Sequence, residues 1–333
     1  MSLVLLTRIM TSIQHIQEQI QRGLANLCVH REPKGLYDPL LYMIEMGGKR
    51  LRPTIALLSY YLFKKEINNN VLMPALGLEL FHAFTLAHDD IMDNADLRRG
   101  RVTLHKKWNP NRAILSGDMM CIMAFSYISK CPPALLNTVF SLFSHTATQV
   151  LEGQQYDMDY ELCQTISHKN YVQMITKKSA VLIACSAKIG ALCGGASQED
   201  AELLYDFGLA VGLGFQIRDD YLDAFGDAAT FGKTIGGDIL NNKKTWLLVE
   251  LLNRVDKNDQ QELNRLLQLY APPQEKIKGV IDLYNKWGIA QAAENEINQY
   301  HKKSVQALES INADKSAKEQ IYQYTASLLN RNK

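Results

Sequence analysis

Asp89-Asp90-Ile91-Met92-Asp93 and Asp219-Asp220-Tyr221-Leu222-Asp223 are two acidic clusters of one form, each closing an otherwise apolar segment. On a helix, residues four apart share a face, so Asp89 with Asp93, and Asp219 with Asp223, each present two carboxylates to the same space. Like charges so placed repel, and two such pairs at the ends of apolar helices imply a cation held there. Carboxylates without a Cys or His partner are hard oxygen ligands. They select Mg²⁺, an ion that keeps several waters and also binds substrate phosphates. A single DDxxD is as often a solvated helix end; the duplication and its basic surroundings favour the metal.

Those surroundings supply fixed positive charge. Lys49, Arg50 and Arg52 follow Gly47-Gly48 in a tight loop, and Arg98, Arg99 and Arg101 follow the first cluster directly. The planar fork of arginine suits bidentate phosphate contact, and lysine adds a point charge. Short basic runs are usually solvated loops, but their place beside DDxxD points to diphosphate. Phe231-Gly232-Lys233-Thr234 is not a nucleotide P-loop, because the glycine required five residues before Gly232 is Asp227. His88-Asp89 as a phosphohydrolase metal pair would leave Asp93 and the second cluster unexplained.

The chain has 333 residues, 47% of them hydrophobic, with a net charge of +1. Basic and acidic residues are interspersed, so no nucleic-acid patch and no membrane-surface patch is expected, and the partners are small molecules. Six scattered cysteines without a CxxC pair suit reduced, mostly buried thiols in the cytoplasm. The amino end offers too short an apolar run for a signal peptide. The uncharged stretch Cys131 to Leu151 carries enough polar residues to read as a buried bundle helix, and no stable membrane insertion is expected.

Helix follows helix, with breaks at Glu32-Pro33-Lys34-Gly35, Asn68-Asn69-Asn70, Asn109-Pro110, Cys131-Pro132-Pro133, Gly194-Gly195 and Ala271-Pro272-Pro273, and no strand alternation. Asp38 is expected to cap a helix beginning at Pro39, and Pro53 to open the next after a Lys49-to-Arg52 loop. The expected fold is all-α, a large antiparallel helical bundle with a site in its interior, in one domain spanning residues 1–333.

Gly47-Gly48-Lys49-Arg50-Leu51-Arg52-Pro53, the first aspartate cluster with Arg98-Arg99-Gly100, Gly153-Gln154 with Asp157, Lys178-Ser179, and Phe215-Gln216-Ile217-Arg218 leading into the second cluster, with Gly232-Lys233 and Lys243, closely resemble the trans-isoprenyl diphosphate synthases. The resemblance runs from about residue 40 to about residue 250. It implies an all-helical bundle around a deep central cavity, working as a homodimer, that joins isopentenyl diphosphate to an allylic diphosphate (dimethylallyl, geranyl or farnesyl) with three Mg²⁺ ions per site. It further implies Asp89, Asp93 and Asp219 as main metal ligands, with Asp90, Asp157, Asp220 and Asp223 as direct or water-mediated ones. Arg98, Lys178, Lys233 and Lys243 would hold the allylic diphosphate, and Lys49, Arg52, His82 and Arg99 the isopentenyl diphosphate. Gln216 and Lys178-Ser179 would face the allylic cation; Ser179 stands where the family commonly has Thr and keeps the hydroxyl. On residue type alone, His82 on an apolar helix would more often be a core histidine.

The helix expected over Val71 to Met92 leads away from the first cluster, so Thr85, Phe84 and Phe81 are the candidates for setting product length. One turn is about 5.4 Å, so moving a bulky ring by one turn should change the product by about one isoprene unit. In the family, aromatic residues at both four and five positions before the motif accompany a fifteen-carbon product. Here Phe84 is aromatic but Thr85 is small, and the first motif lacks the insertion of many bacterial farnesyl synthases, so the resemblance favours geranylgeranyl diphosphate (C20), with farnesyl diphosphate (C15) the alternative. A class I terpene cyclase would replace the second DDxxD by a different metal motif, and an inactive regulatory subunit would usually have lost aspartates. This chain keeps both clusters.

Overall fold

Side-chain caps set where several helices begin in the computed structural model, which describes residues 3–27, 31–226, 236–268 and 273–329. Asn68 accepts from the N–H of Asn70 at 3.0 Å and starts α4 (Asn69–Met92), two residues before the expected Val71. Asn109 accepts from the N–H of Arg112 at 2.9 Å and, with Pro110 at the first helical position, starts α6 (Pro110–Ile128). Ser167 and Thr245 do the same for α8 (His168–Ile175) and α12 (Trp246–Arg254). The remaining helices are α1 (Leu3–Leu27), α2 (Lys34–Glu45), α3 (Leu51–Tyr61), α5 (Leu104–Lys107), α7 (Leu136–Glu161), α9 (Val181–Gly194), α10 (Gln198–Phe225), α11 (Gly237–Leu240), α13 (Lys257–Gln268), α14 (Pro273–Lys286), α15 (Ile289–Ser310) and α16 (Lys315–Leu329).

The all-α expectation is met, with local corrections. Two-residue strands β1 (Leu97–Arg98) and β2 (Arg101–Val102) pair antiparallel, Leu97 opposite Val102. Arg99 and Gly100 form their turn, with φ of 54° and 73°, as a two-residue hairpin matching the strand twist requires. Asp38 does not cap a helix: α2 begins at Lys34, where Leu36 N–H bonds the Pro33 carbonyl at 3.0 Å, so Pro39 lies inside and leaves Gly35 without its helical donor. Pro53 does not open α3, because Arg50 in the left-handed region (φ 48°) already turns the chain and Thr54 N–H bonds the Arg50 carbonyl at 3.1 Å.

The helices group into two compact units, Met1–His145 with Leu182–Asp206 and Ala307–Tyr324, and Thr146–Val181 with Phe207–Gln306 and Thr325–Lys333. In the first unit, α4 packs on α1, α3 and α6, and Leu76, Leu78, Leu80 and Phe81 are fully buried. The middle of α4 is largely buried, and the half-buried His82, Thr85 and Asp89 recur along its one partly open face. In the second unit, Tyr171, Ile217, Trp246, Leu263, Val280, Tyr284 and Ile289 form the core. The uncharged Cys131-to-Leu151 stretch is less buried than expected, since Leu136 and Phe140 on α7 are 38% and 40% exposed. Cys163 is also exposed, and Cys28 lies outside the described residues.

Candidate active site

In the first unit, Asp89, Asp90 and Asp93 occupy the last turn and cap of α4, with Asp93 N–H bonded to the Asp89 carbonyl at 2.8 Å. A helix C-terminus carries partial negative charge, so three aspartates there are electrostatically disfavoured unless a cation offsets them. Arg98 does so now: its Nε donates to Asp90 Oδ1 at 2.7 Å, and its Nη2 lies 2.6 Å from Asp90 Oδ1 and 3.4 Å from Asp89 Oδ2. Asp90 is fully buried, burial pushes its carboxyl above the usual range against the pull of Arg98, and its Oδ2 has no hydrogen-bond partner among the described residues. Asp89 is half-buried and Asp93 exposed, so those two can reach a ligand more readily.

The hairpin that carries Arg98 is tied to α2. The Tyr42 hydroxyl donates to the Val102 carbonyl at 3.0 Å, Arg101 donates to the Glu45 carbonyl at 3.0 Å, and Arg101 and Lys107 lie over the Tyr42 ring. Arg99, at the turn, reaches the opposite way and donates to the Gly47 carbonyl. Gly48 is required there, because a Cβ would sit 2.4 Å from the Arg99 guanidinium and its φ is +124°. Lys49 is exposed, while Arg50 is withdrawn into a buried ion pair, Nη1 to Glu79 Oε1 at 2.7 Å, and donates to the Ile44 carbonyl at 2.5 Å. Breaking such a pair from one side costs about 3–5 kcal/mol.

His82, one turn beyond Glu79 on α4, lies among Arg52, Arg99, Arg98 and Arg50. Burial first, and then those four charges, hold its pKa well below 6.5, so it is a neutral imidazole. Arg52 is pulled down to about 10 by burial, partly offset by Glu79, and its buried Nε has no hydrogen-bond partner among the described residues. Thus Arg52, His82 and Arg99 lie close together, and Lys49, three residues before Arg52, is exposed on the same loop. Thr85 is half-buried and its hydroxyl bonds the His82 carbonyl at 2.9 Å. Phe81 stacks edge-on against Phe143 of α7 at 5.3 Å, and Phe84 lies 4.8 Å from His88, whose ring bonds the Ile114 carbonyl of α6. The phenylalanines therefore sit in the α4, α6 and α7 packing layer.

In the second unit, Lys178 and Ser179 lie on a widened π-turn, Thr176–Ala180, that joins α8 to α9. Such a turn costs regular hydrogen bonding and is frequent at functional sites. Gly153 of α7 lets it in, since a Cβ there would lie 2.1 Å from the Lys178 nitrogen. Lys178 Nζ contacts Asp157 Oδ2 at 2.5 Å, one turn along α7 from Gly153. Ser179 Oγ donates to Gln216 Oε1 at 3.0 Å, and Gln216 Nε2 donates to Asp220 Oδ1 at 3.3 Å. Asp220 Oδ2 then accepts from the Tyr171 hydroxyl at 2.6 Å and the Trp246 N–H at 2.8 Å. This relay fixes which way the Gln216 amide faces. Burial, and secondarily Asp238, push the Asp220 carboxyl up to about 7 against those three donors.

Asp219 is half-buried in the same last turns of α10, and Arg218 beside it forms a two-pronged pair with Glu294 of α15, at 2.5 and 2.7 Å, which fixes the helix orientation. Asp223 accepts from the Asp238 N–H at 3.0 Å and so anchors the segment leading to Lys243. Lys276, only 6% exposed, ties the other side of that segment through the Leu240 carbonyl at 3.1 Å and Asn242 Oδ1 at 2.7 Å. Lys233 lies outside the described residues.

Sequence reasoning did not find Glu79, Tyr171 or Lys276. Glu79 had a signal, an acidic residue inside an apolar helical run, which implies a buried partner. Tyr171 had none, being 49 residues from Asp220. Among the described residues, no three His, Cys, Asp or Glu side chains gather into a complete metal-binding group. Each cluster instead offers an incomplete set of hard oxygens, which fits Mg²⁺, an ion that draws its other ligands from water and substrate phosphate.

The polyprenyl synthetase family model matches residues 33–284. The geranylgeranyl diphosphate synthase of Methanosarcina mazei is 37% identical over 258 residues, 77% of this chain and 79% of its own. The geranylfarnesyl diphosphate synthase of Natronomonas pharaonis is 36% identical over 260 residues, 71% of this chain and 76% of its own. A crystal structure of a geranylgeranyl pyrophosphate synthase superposes with a TM-score of 0.91 at 38% identity, covering 96% of this chain and 98% of that one. The chain belongs to the polyprenyl synthetase family, and it is a prenyltransferase by that membership.

Proposed function

We propose that this enzyme condenses isopentenyl diphosphate with allylic diphosphates and that its main product is geranylgeranyl diphosphate. The observation that carries the reading is the group of Arg52, His82 and Arg99, with Lys49 on the same loop, in which the buried Arg52 Nε has no hydrogen-bond partner among the described residues. A neutral His82 can donate or accept a hydrogen bond there without adding charge. This cluster takes isopentenyl diphosphate; Arg98, Lys178, Lys233 and Lys243 take the allylic diphosphate. Asp89, Asp93 and Asp219 would hold Mg²⁺, with Asp157 and Asp223 assisting, while the buried and already bonded Asp90 and Asp220 act behind them. Mg²⁺, when bound, neutralises the diphosphate and eases its departure as pyrophosphate.

Departure leaves an allylic cation, which the double bond of isopentenyl diphosphate attacks; loss of a proton completes a chain five carbons longer. Ser179 and Gln216 meet that cation with oxygen dipoles, and the relay through Asp220 and Tyr171 keeps the Gln216 oxygen turned toward Ser179. Such pre-set dipoles need no reorganisation as charge develops. The enzyme acts as a homodimer in this reading: Ile114, Leu115 and Ile122 of α6 and Leu136 and Phe140 of α7 give the first unit an exposed apolar surface suited to a second copy.

A product assay tests the proposal: Mg²⁺, labelled isopentenyl diphosphate and, separately, dimethylallyl, geranyl and farnesyl diphosphates, followed by chromatography of the dephosphorylated alcohols. Geranylgeraniol from farnesyl diphosphate is expected. Farnesol as the end point would keep the reaction and overturn the product length, and no incorporation from any primer would overturn the reaction. Light scattering after size exclusion tests the dimer.

A further inference from the structure

Glu79 is a buried carboxylate for which the reaction has no direct use. It lies on α4, three residues before His82 and ten before Asp89, and is 4% exposed. Its neighbours are the basic residues of the isopentenyl diphosphate cluster. One oxygen takes the Arg50 guanidinium at 2.7 Å, and its charge supports the protonated forms of Arg52 and Arg99. The other oxygen, buried, has no hydrogen-bond partner among the described residues.

The loop it grips is an unusual one. Gly47, Gly48 and Arg50 have φ of +74°, +124° and +48°, so three of four successive residues are held outside the ordinary right-handed and extended regions. Arg50 closes this loop from within: Nη1 on Glu79, Nη2 on the Ile44 carbonyl at the end of α2, and its own carbonyl accepting from Thr54 of α3. Lys49 and Arg52 flank Arg50, and Arg99 docks on the Gly47 carbonyl. A strained backbone of this kind persists only where its surroundings over-determine it.

We infer that Glu79 is the positioning residue of the isopentenyl diphosphate site: by clamping Arg50 it holds the Gly47-to-Arg52 loop in the one conformation that presents Lys49, Arg52 and Arg99 to the diphosphate. Glu79 touches no substrate. It acts through Arg50, and its charge also offsets repulsion among arginines that must stand close together before any anion arrives. The inference rests on the assignment of Lys49 and Arg52 to isopentenyl diphosphate.

The test measures KM for isopentenyl diphosphate, KM for farnesyl diphosphate and kcat in Glu79→Leu, Glu79→Gln, Arg50→Met and the double variant Glu79→Leu with Arg50→Met. Circular dichroism melts run in parallel. Glu79→Gln keeps an acceptor for Arg50 but loses the charge, and should raise KM for isopentenyl diphosphate by about threefold, less than Glu79→Leu does. Glu79→Leu removes the clamp and should raise that KM by at least about tenfold, with kcat and KM for farnesyl diphosphate within about twofold. Where a single variant does not fold, the double variant replaces the ion pair by apolar side chains of like volume, which proteins tolerate, and should show the same selective rise. An unchanged KM for isopentenyl diphosphate in a folded clamp-free variant, or an equal loss for both substrates, overturns the inference. Lys49→Ala and Arg52→Ala serve as controls: if they leave KM for isopentenyl diphosphate unchanged, the site assignment itself fails, whatever Glu79 does.

Discussion

Gly153→Ala sets two physical effects against each other. In a helix interior, replacing Gly by Ala ordinarily stabilises by about 0.8–1 kcal/mol, because Ala loses less backbone entropy. Here the added Cβ would lie 2.1 Å from the Lys178 nitrogen and 2.6 Å from the Lys178 Cα, while ordinary contact begins at 3.4 Å. Those are backbone atoms and cannot rotate away. The π-turn must therefore retreat from α7 by about 1.3 Å, the difference between 3.4 and 2.1 Å. Overpacking of this kind costs about 1–3 kcal/mol and outweighs the helix gain. The same displacement moves Lys178 off Asp157 and Ser179 off Gln216, and a misplacement of about 1 Å near reacting groups can cost about 100-fold in rate. The expected result is a protein that still folds, with lower stability in urea and kcat reduced between tenfold and a hundredfold. A variant more stable than the parent and as fast would refute the claim that Gly153 exists to admit the turn.

Further outcomes follow from the same geometry. Asp89→Ala and Asp219→Ala should each abolish turnover with the helical circular dichroism intact, because each removes an accessible carboxylate and no core volume; near-normal rates would sink the metal assignment. Phe84→Ala should shift the product toward longer chains while costing about 3–5 kcal/mol of stability, since the ring is 7% exposed and packed; an unchanged product distribution places the floor elsewhere. Because His82 is neutral when folded but titrates at 6.5 when unfolded, the unfolded chain binds the extra proton as pH falls. Stability should drop from pH 6.5 downward by up to about 1.4 kcal/mol per unit from this residue. His82→Gln should remove that part of the slope in urea melts at pH 5 to 7.

Much of this was legible in the sequence because helix caps and paired carboxylates are local signals. Asn109-Pro110, read as a break, is where α6 starts, and DDxxD brings its own carboxylates together. Asp38-Pro39 misled because the cap and first-turn preference is only statistical: Pro33, five residues earlier, had already begun the helix. Arg98 was found as a basic residue, but its present hold on Asp90 was not, since that depends on a hairpin too short for strand periodicity to reveal. Tyr171 and Lys276 act across 49 and 34 residues, on partners that only the folded chain brings near.

Arg98 on Asp89 and Asp90, and Lys178 on Asp157, have one more consequence. Before any ligand arrives, the protein keeps these cations and carboxylates as internal pairs, which limits the unbalanced charge it shows to solvent. If Arg98 and Lys178 hold the allylic diphosphate as proposed, turning to it loosens their hold on Asp89 and Asp157, and those carboxylates become freer to take a cation. Anion and cation binding are therefore thermodynamically linked, and linkage is reciprocal: whatever factor the diphosphate adds to metal affinity, the metal must add to diphosphate affinity. Each ligand alone should bind weakly, and the loaded state should assemble cooperatively.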